Sequence, residues 1–251
     1  MGFVSLMVKK NYFVSMISVI IPAYQENENI IKLLPLLASL ESNLPVEILV
    51  SWYAAKGEEP RYEGQERALH LLKAPKKGRA IQMNHAAARA RGDILVFLHA
   101  DVRPPKSFFT DIAKAIDQGF EAGFFSYRFD KKSLLLSVNA WFTTKKGLFT
   151  GGGDQCLFIK KNIFTEIGRF NEKQLLMEDF EFFKRMKRQN IAYTIVKNDL
   201  TVSSRKYDHN SYLRINLSNM LLLLLFNFGY PPKKLKSLHD KLLSTPYRDS
   251  A

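Results

Sequence analysis

Four short stretches of the 251-residue chain hold side chains whose types and spacing could do chemistry. His99-Ala100-Asp101 follows an apolar run and precedes Arg103-Pro104-Pro105. A carboxylate at a strand end can hold a hard divalent cation, and such a cation bridges phosphates and neutralises a departing diphosphate. An Asp in that position can equally be a helix cap. Lys76-Lys77-Gly78-Arg79 stands just before an alanine-rich stretch. Backbone N–H groups at a helix start, with cations beside them, make an anion site, although a basic turn is also at home in plain water. Gln82 and Asn84 follow, with amides that can read a ribose or a base edge. Gly151-Gly152-Gly153-Asp154-Gln155 puts a carboxylate and an amide after a glycine turn, a pair suited to sugar hydroxyls. Glu178-Asp179 offers adjacent carboxylates. Like charges side by side raise one pKa toward the range of a general base, while the same acids also compensate a helix dipole.

These residues need elements to position them. Ile17 to Ile21 is a β-branched run stopped by Pro22, and Asn29 to Leu40 carries apolar residues at the 3.6-residue period, so strand is followed by helix. Val46 to Ser51 and Leu69 to Lys73 read as strands, Arg79 to Arg91 as a helix and Ile94 to Leu98 as a buried strand. Such alternation predicts an α/β fold with a mostly parallel sheet covered by helices on both faces. Ligands of such sheets bind beyond the carboxyl ends of the strands, here Ala23 to Glu28, Trp52 to Gly57 and His99 to Pro105. In the second half the pattern predicts a helix from Pro104 to Gln118, a strand over Phe124 to Phe129 and another over Gln155 to Lys160. A helix follows over Met177 to Arg188, acidic at its start and basic at its end, then a strand over Tyr193 to Val196.

Taken in order, the motifs resemble those of glycosyltransferase family 2, whose members have the Rossmann-like GT-A fold. The resemblance rests on Pro22-Ala23-Tyr24 with Glu26, the KKGRAIQMN stretch from Lys76, the FLHAD stretch ending at Asp101, the GGDQ stretch ending at Gln155 and the MEDFE stretch from Met177. It is nearest a bacterial transferase 2 subgroup associated with radical-SAM or selenodomain proteins and, in some members, arsenosugar biosynthesis. A Ser203-Ser204-Arg205-Lys206 turn resembles one in that subgroup.

The resemblance implies an inverting transfer of a sugar from a nucleotide-diphosphate donor to an acceptor hydroxyl, assisted by Mg²⁺ or Mn²⁺. Pro22, Ala23, Glu26, Lys77, Arg79 and Asn84 would line the nucleotide pocket. Asp101, with His99 where the family's first carboxylate stands, would hold metal and diphosphate. Asp154 and Gln155 would meet donor sugar or acceptor, and Asp179, with Glu178 beside it, would be the base. One departure is clear: the acidic turn that the family carries after the second strand is Ser51-Trp52-Tyr53-Ala54-Ala55 here. Trp52 or Tyr53 could stack on a base or close the pocket. That departure keeps a second reading open, a catalytically degenerate binding protein with a basic surface for an anionic partner.

Composition sets the frame. With 46% apolar residues, 12% aromatic residues and one cysteine, the chain is globular, and neither an internal disulfide nor a thiolate metal cluster can form. A reducing, cytoplasmic setting is expected. The formal charge is +13, and residues 182–251 carry about +9 of it. A nucleotide diphosphate needs only a few cations, so the tail's charge asks for another partner: a lipid-linked or anionic acceptor, or an anionic membrane surface. No nucleic-acid-binding module is evident. The expected division is an extension over 1–15, a catalytic domain over 16–206 and a basic, apolar helical tail over 207–251. Within the tail, Tyr212 to Phe228, flanked by Arg214, Lys233, Lys234 and Lys236, either packs on the domain or lies on a membrane. Its leucine run, Met220 to Phe228, is too short to span a bilayer, which takes about 20 residues.

Overall fold

The computed structural model describes residues 15–54, 62, 68–147, 150–208 and 210–243. Of the expected extension, residues 1–14 lie outside these, as do Ala55 to Gly57 of the turn after the second strand.

Strand β1, Ile17–Ala23, is buried along its whole length, as a strand covered on both faces must be. Ile17, Val19 and Ile21 enter one apolar cluster and Ile20 the other, following the two-residue period of a strand. Parallel neighbours flank it, β2 at Val46–Trp52 and β4 at Ile94–Phe97, and β3 at Leu69–Lys73 pairs in parallel with β2. Pro22 has no N–H to offer, so the ladder on the β4 side closes with Leu98 N donating to Ile20 O at 2.9 Å. There β4 turns away into His99–Asp101, and the ends of β1 and β4 bound the crevice that an open parallel sheet has where its strand order reverses.

The other half of the sheet is mixed. β7, Leu157–Lys160, runs antiparallel to β4 and to β6, Ala122–Phe129, while β8, Tyr193–Val202, is parallel to β6. β5, Val102–Arg103, closes the edge antiparallel to β8, giving the order β3-β2-β1-β4-β7-β6-β8-β5. Helices α1, Asn27–Ser39, and α3, Phe108–Asp117, cover one face through Leu33, Leu37, Phe108 and Ile112. α2, Arg79–Ala87, α5, Lys161–Glu166, and α6, Glu178–Arg188, cover the other through Met83, Ile163, Phe182 and Met186. α4, Leu134–Thr143, lies against β6. The tail forms α7, Tyr212–Asn227, and α8, Pro232–Leu242, which pack on each other. Asn139 of α4 ties this pair to the body: it accepts from the Tyr212 hydroxyl at 2.8 Å and donates to Asn216 Oδ1 at 3.0 Å.

Several boundaries differ from the sequence reading. α2 stops at Ala87 rather than Arg91, because Arg91 N and Gly92 N are drawn to the buried Glu47 carboxylate and the Ser18 hydroxyl. α3 starts at Phe108, after the Pro104-Pro105 pair, and the strand expected from Gln155 starts at Leu157 because Gly153–Gln155 is a 3₁₀ turn. β8 runs six residues beyond its expected end at Val196. Its Lys197-Asn198-Asp199 segment looks like a loop by polarity, but Asn198 donates to Ser107 and Asp111, and Asp199 accepts from Ser126. Polar residues inside a sheet are stable once their partners are supplied.

Candidate active site

The residues singled out for chemistry converge at the carboxyl ends of β1, β2 and β4, where a ligand of such a sheet binds. Pro22 and Ala23 are buried in the last turn of β1, and Gln25 then adopts a positive φ of 55° to swing Glu26 over the crevice. Asn29 donates to Glu26 Oε2 at 2.5 Å. From a distant part of the sequence, just after β8, Arg205 donates to Glu26 Oε1 at 3.1 Å and to Asp101 Oδ2 at 3.2 Å. One guanidinium therefore joins the ends of β1, β4 and β8. Burial raises the Glu26 pKa above the usual carboxylate value, against the opposing pull of Asn29 and Arg205.

A second charge cluster lies beside it. His99 Nδ1 is 3.5 Å from Asp154 Oδ1, and Lys206 Nζ is 3.6 Å from Asp154 Oδ2. Burial and the Arg79 guanidinium oppose a charge on His99, but the bond to Asp154 and the carboxylates of Asp179 and Asp154 outweigh them and raise its pKa. Burial would raise the Asp154 pKa, yet Lys206, His99 and Arg79 hold it well below the carboxylate range.

Gly153 brings this cluster against α6. A Cβ at Gly153 would lie under 3 Å from both the His99 ring and the Asp179 carboxylate, so only glycine fits between them. Met177, in the left-handed region at φ 62°, turns the chain into α6 and delivers Glu178 and Asp179 to the crevice. Arg79, at the first position of α2, donates to the buried Glu178 at 3.1 Å. Burial, with the neighbouring Glu178 charge, pushes the Asp179 pKa up to about 7, despite His99 and Arg79. Three of the six non-glycine residues with positive φ among the described residues, Gln25, Cys156 and Met177, stand around this crevice. Each such conformation costs of order 1–3 kcal/mol and persists only where the surroundings enforce it.

The remaining expected residues divide into two groups. Lys77 lies over the Tyr24 ring with Nζ 4.1 Å from its centre, at the mouth of the crevice. Trp52 is buried in the β1–α1 core, with Lys73 Nζ 5.4 Å from its ring centre, so it forms part of the floor. The Asn84 amide is spent on the backbone N–H and C=O of Phe170 and on Glu172, pinning the segment that leads to α6. Gln155 accepts from Gly151 N and donates to Thr143 O, so its amide holds the glycine turn to α4. Gln82 bridges Ala23 O and Ser51 O, tying β1 to β2. Arg205 and Lys206 were given no role by the sequence reading, although a basic pair directly after a strand was visible in the Ser203–Lys206 turn.

For a divalent cation the oxygen donor at hand is Asp101. Among the described residues no group of three His, Cys, Asp or Glu side chains stands ready to hold a metal. The donor set fits a cation that takes most of its ligands from a diphosphate and water, as Mg²⁺ commonly does.

The sequence profile described as Glycosyl transferase family 2 matches residues 18–180, more than half of the chain. The chain belongs to glycosyltransferase family 2. Among solved structures, this family 2 chain resembles Staphylococcus aureus TarS 1–349 in complex with UDP, with TM-score 0.60 and 17% identity over 84% of this chain and 65% of that one. It also resembles the mannosyltransferase PcManGT from Pyrobaculum calidifontis in complex with GDP-Man and Mn²⁺, with TM-score 0.59 and 17% identity over 92% of this chain and 70% of that one. At such identity the likeness is one of fold, and the chain spans just under two thirds of the TarS chain. No curated protein sequence matches it.

Proposed function

We propose that this family 2 glycosyltransferase moves a sugar from a nucleoside-diphosphate sugar to an acceptor hydroxyl with inversion at the anomeric carbon. The observation that carries the reading is Asp179, a recessed carboxylate with its pKa near 7, held by Gly153 against His99 at the carboxyl end of the sheet. A base poised near the working pH combines a useful ionised fraction with a real drive to take a proton. The TarS complexes with UDP and UDP-GlcNAc, and the GDP-Man complex, support a donor of this class in the same fold.

The acceptor oxygen gives its proton to Asp179 and forms a bond to the anomeric carbon, while the bond from that carbon to the diphosphate oxygen breaks in line on the opposite side. Lys77 and Arg79, with Arg205 and Lys206 across the crevice, supply positive potential where charge builds on the leaving diphosphate. Asp101 would hold a divalent cation there, whose chemistry is to neutralise that charge. Asp154, held ionised by Lys206 and His99, accepts hydrogen bonds from hydroxyls of sugar or acceptor. The motif order further supports membership of the transferase 2 subgroup.

The test is a panel of UDP-, GDP- and dTDP-sugars read by thermal shift with and without Mn²⁺. A donor at a hundred times its Kd stabilises by about 2.7 kcal/mol, an easily seen rise in Tm. A folded protein that no donor stabilises would instead favour the degenerate binding protein that the Trp52 turn leaves open.

A further inference from the structure

We propose that the outward faces of α4 and α7 together form a docking surface for an anionic lipid membrane. On α4, Leu134, Val138 and Trp141 recur at helical spacing, with Leu134 84% and Trp141 52% exposed. On α7, Leu213 and Leu217 do the same at 68% and 69% exposure, and Phe228, at its C-cap, is 86% exposed. Each helix has a second, buried face that accounts for its packing, through Leu136 and Thr143 on α4 and Ile215, Leu222 and Leu223 on α7. The outward leucines are left largely exposed, and the Asn139 bonds to Tyr212 and Asn216 hold the two helices together. Large exposed apolar side chains on two helices that touch mark an interaction site.

Charge chooses the occupant. Residues 131–147 contain Lys131, Lys132, Lys145 and Lys146 and no Asp or Glu, and residues 210–238 contain Arg214, Lys233, Lys234 and Lys236 and again no acid. Some of these cations are engaged: Lys131 with Asp208, Lys146 with Tyr193 O and Lys236 with Asp240. Lys132, Lys233 and Lys234 are exposed, and Lys145 lies 3.6 Å over the Trp141 ring, leaving the indole and an ammonium at one place. Aromatic and aliphatic anchors rimmed by cations match a bilayer interface with anionic headgroups. A second copy of the chain fits badly, because a two-fold contact would bring the same exposed cations, Lys132, Lys233 and Lys234, together. Binding is peripheral: α7 has 16 residues, and no helix among the described residues is long and apolar enough to cross a membrane. The inference goes beyond the transfer reading and does not rest on it.

The experiment is co-sedimentation of the full chain with vesicles of phosphatidylcholine alone or with roughly 30% phosphatidylglycerol, at low and high salt. Binding is expected to the anionic vesicles at low salt and to fall with salt. Trp141→Glu and Leu217→Glu should each weaken it at least about tenfold, with unchanged circular dichroism because both side chains are exposed. Lys132→Glu should weaken it too, and tests the charge without touching an apolar side chain. Absence of binding at low salt, or binding by all three variants as tight as that of the unaltered chain, would overturn the proposal. So would a dimer in sedimentation velocity that Leu217→Glu splits while vesicles bind neither form.

Discussion

His99 Nδ1 faces Asp154 Oδ1 at 3.5 Å, and this pair sets the electrostatics of the crevice. The histidine is held above the ordinary imidazole pKa and the aspartate below the ordinary carboxylate pKa. A histidine whose pKa is raised by folding contributes stability below its unfolded pKa, lost as pH rises through the folded value; a depressed aspartate contributes above its unfolded pKa, lost as pH falls. The pair therefore stabilises most between roughly pH 4 and 6.5, the two unfolded values. Titration of the His99 ring by NMR should give a pKa above that of a free imidazole, and Asp154→Asn should bring it down.

Asp179 predicts the opposite trend. Its folded pKa, about 7, lies above the unfolded value of 3.8, so folding favours its protonated form and stability falls as pH rises between those values. Asp179→Asn should raise Tm by about 2–6 °C at pH 8 and leave it unchanged near pH 3. Transfer by the unaltered enzyme should climb about tenfold per pH unit below 7 and level off above it.

Gly152 and Gly153 should behave differently although they are neighbours. A Cβ at Gly152 meets only the Phe180 ring, at 3.5 Å, whereas one at Gly153 meets His99 and Asp179 at once. Gly152→Ala should retain most activity, and Gly153→Ala should lose at least about a hundredfold, since small misplacements of catalytic groups cost that much. Comparing turnover of the two variants at matched folded fraction checks this.

Arg205 is the cation common to Glu26 and Asp101. Arg205→Gln should weaken binding of a nucleoside-diphosphate sugar about tenfold, the scale of one charge-assisted hydrogen bond, and lower Tm at pH 7, where both carboxylates lose their shared partner. Isothermal titration beside a thermal melt separates the two effects.

The sequence made the first half of the fold readable because its strands are continuous apolar runs and its helices keep a 3.6-residue period. It hid the second half of β8, beyond Val196, because Asn198 and Asp199 find partners on α3 and β6, which no local pattern reports. The same limit applies to the crevice. Asp101, Asp154 and Asp179 were visible as acids after a strand, after a glycine turn and at a helix start. Nothing local distinguished Asn84 or Gln155, whose amides hold backbone, from amides that face a ligand. Arg205 and Lys206 reach the crevice only through the pairing of β8 beside β6 and β5, a long-range fact.

The central claim is that Asp179 takes the acceptor proton in an inverting transfer. The most direct measurement follows donor turnover by NMR, reading the anomeric configuration of the product for the unaltered enzyme and for Asp179→Asn, using a donor that stabilises both. The account predicts a product of inverted configuration from the former and a loss of about 10²–10⁴-fold in the latter, with donor binding kept. Retained configuration, or Asp179→Asn turning over at the unaltered rate, would contradict it.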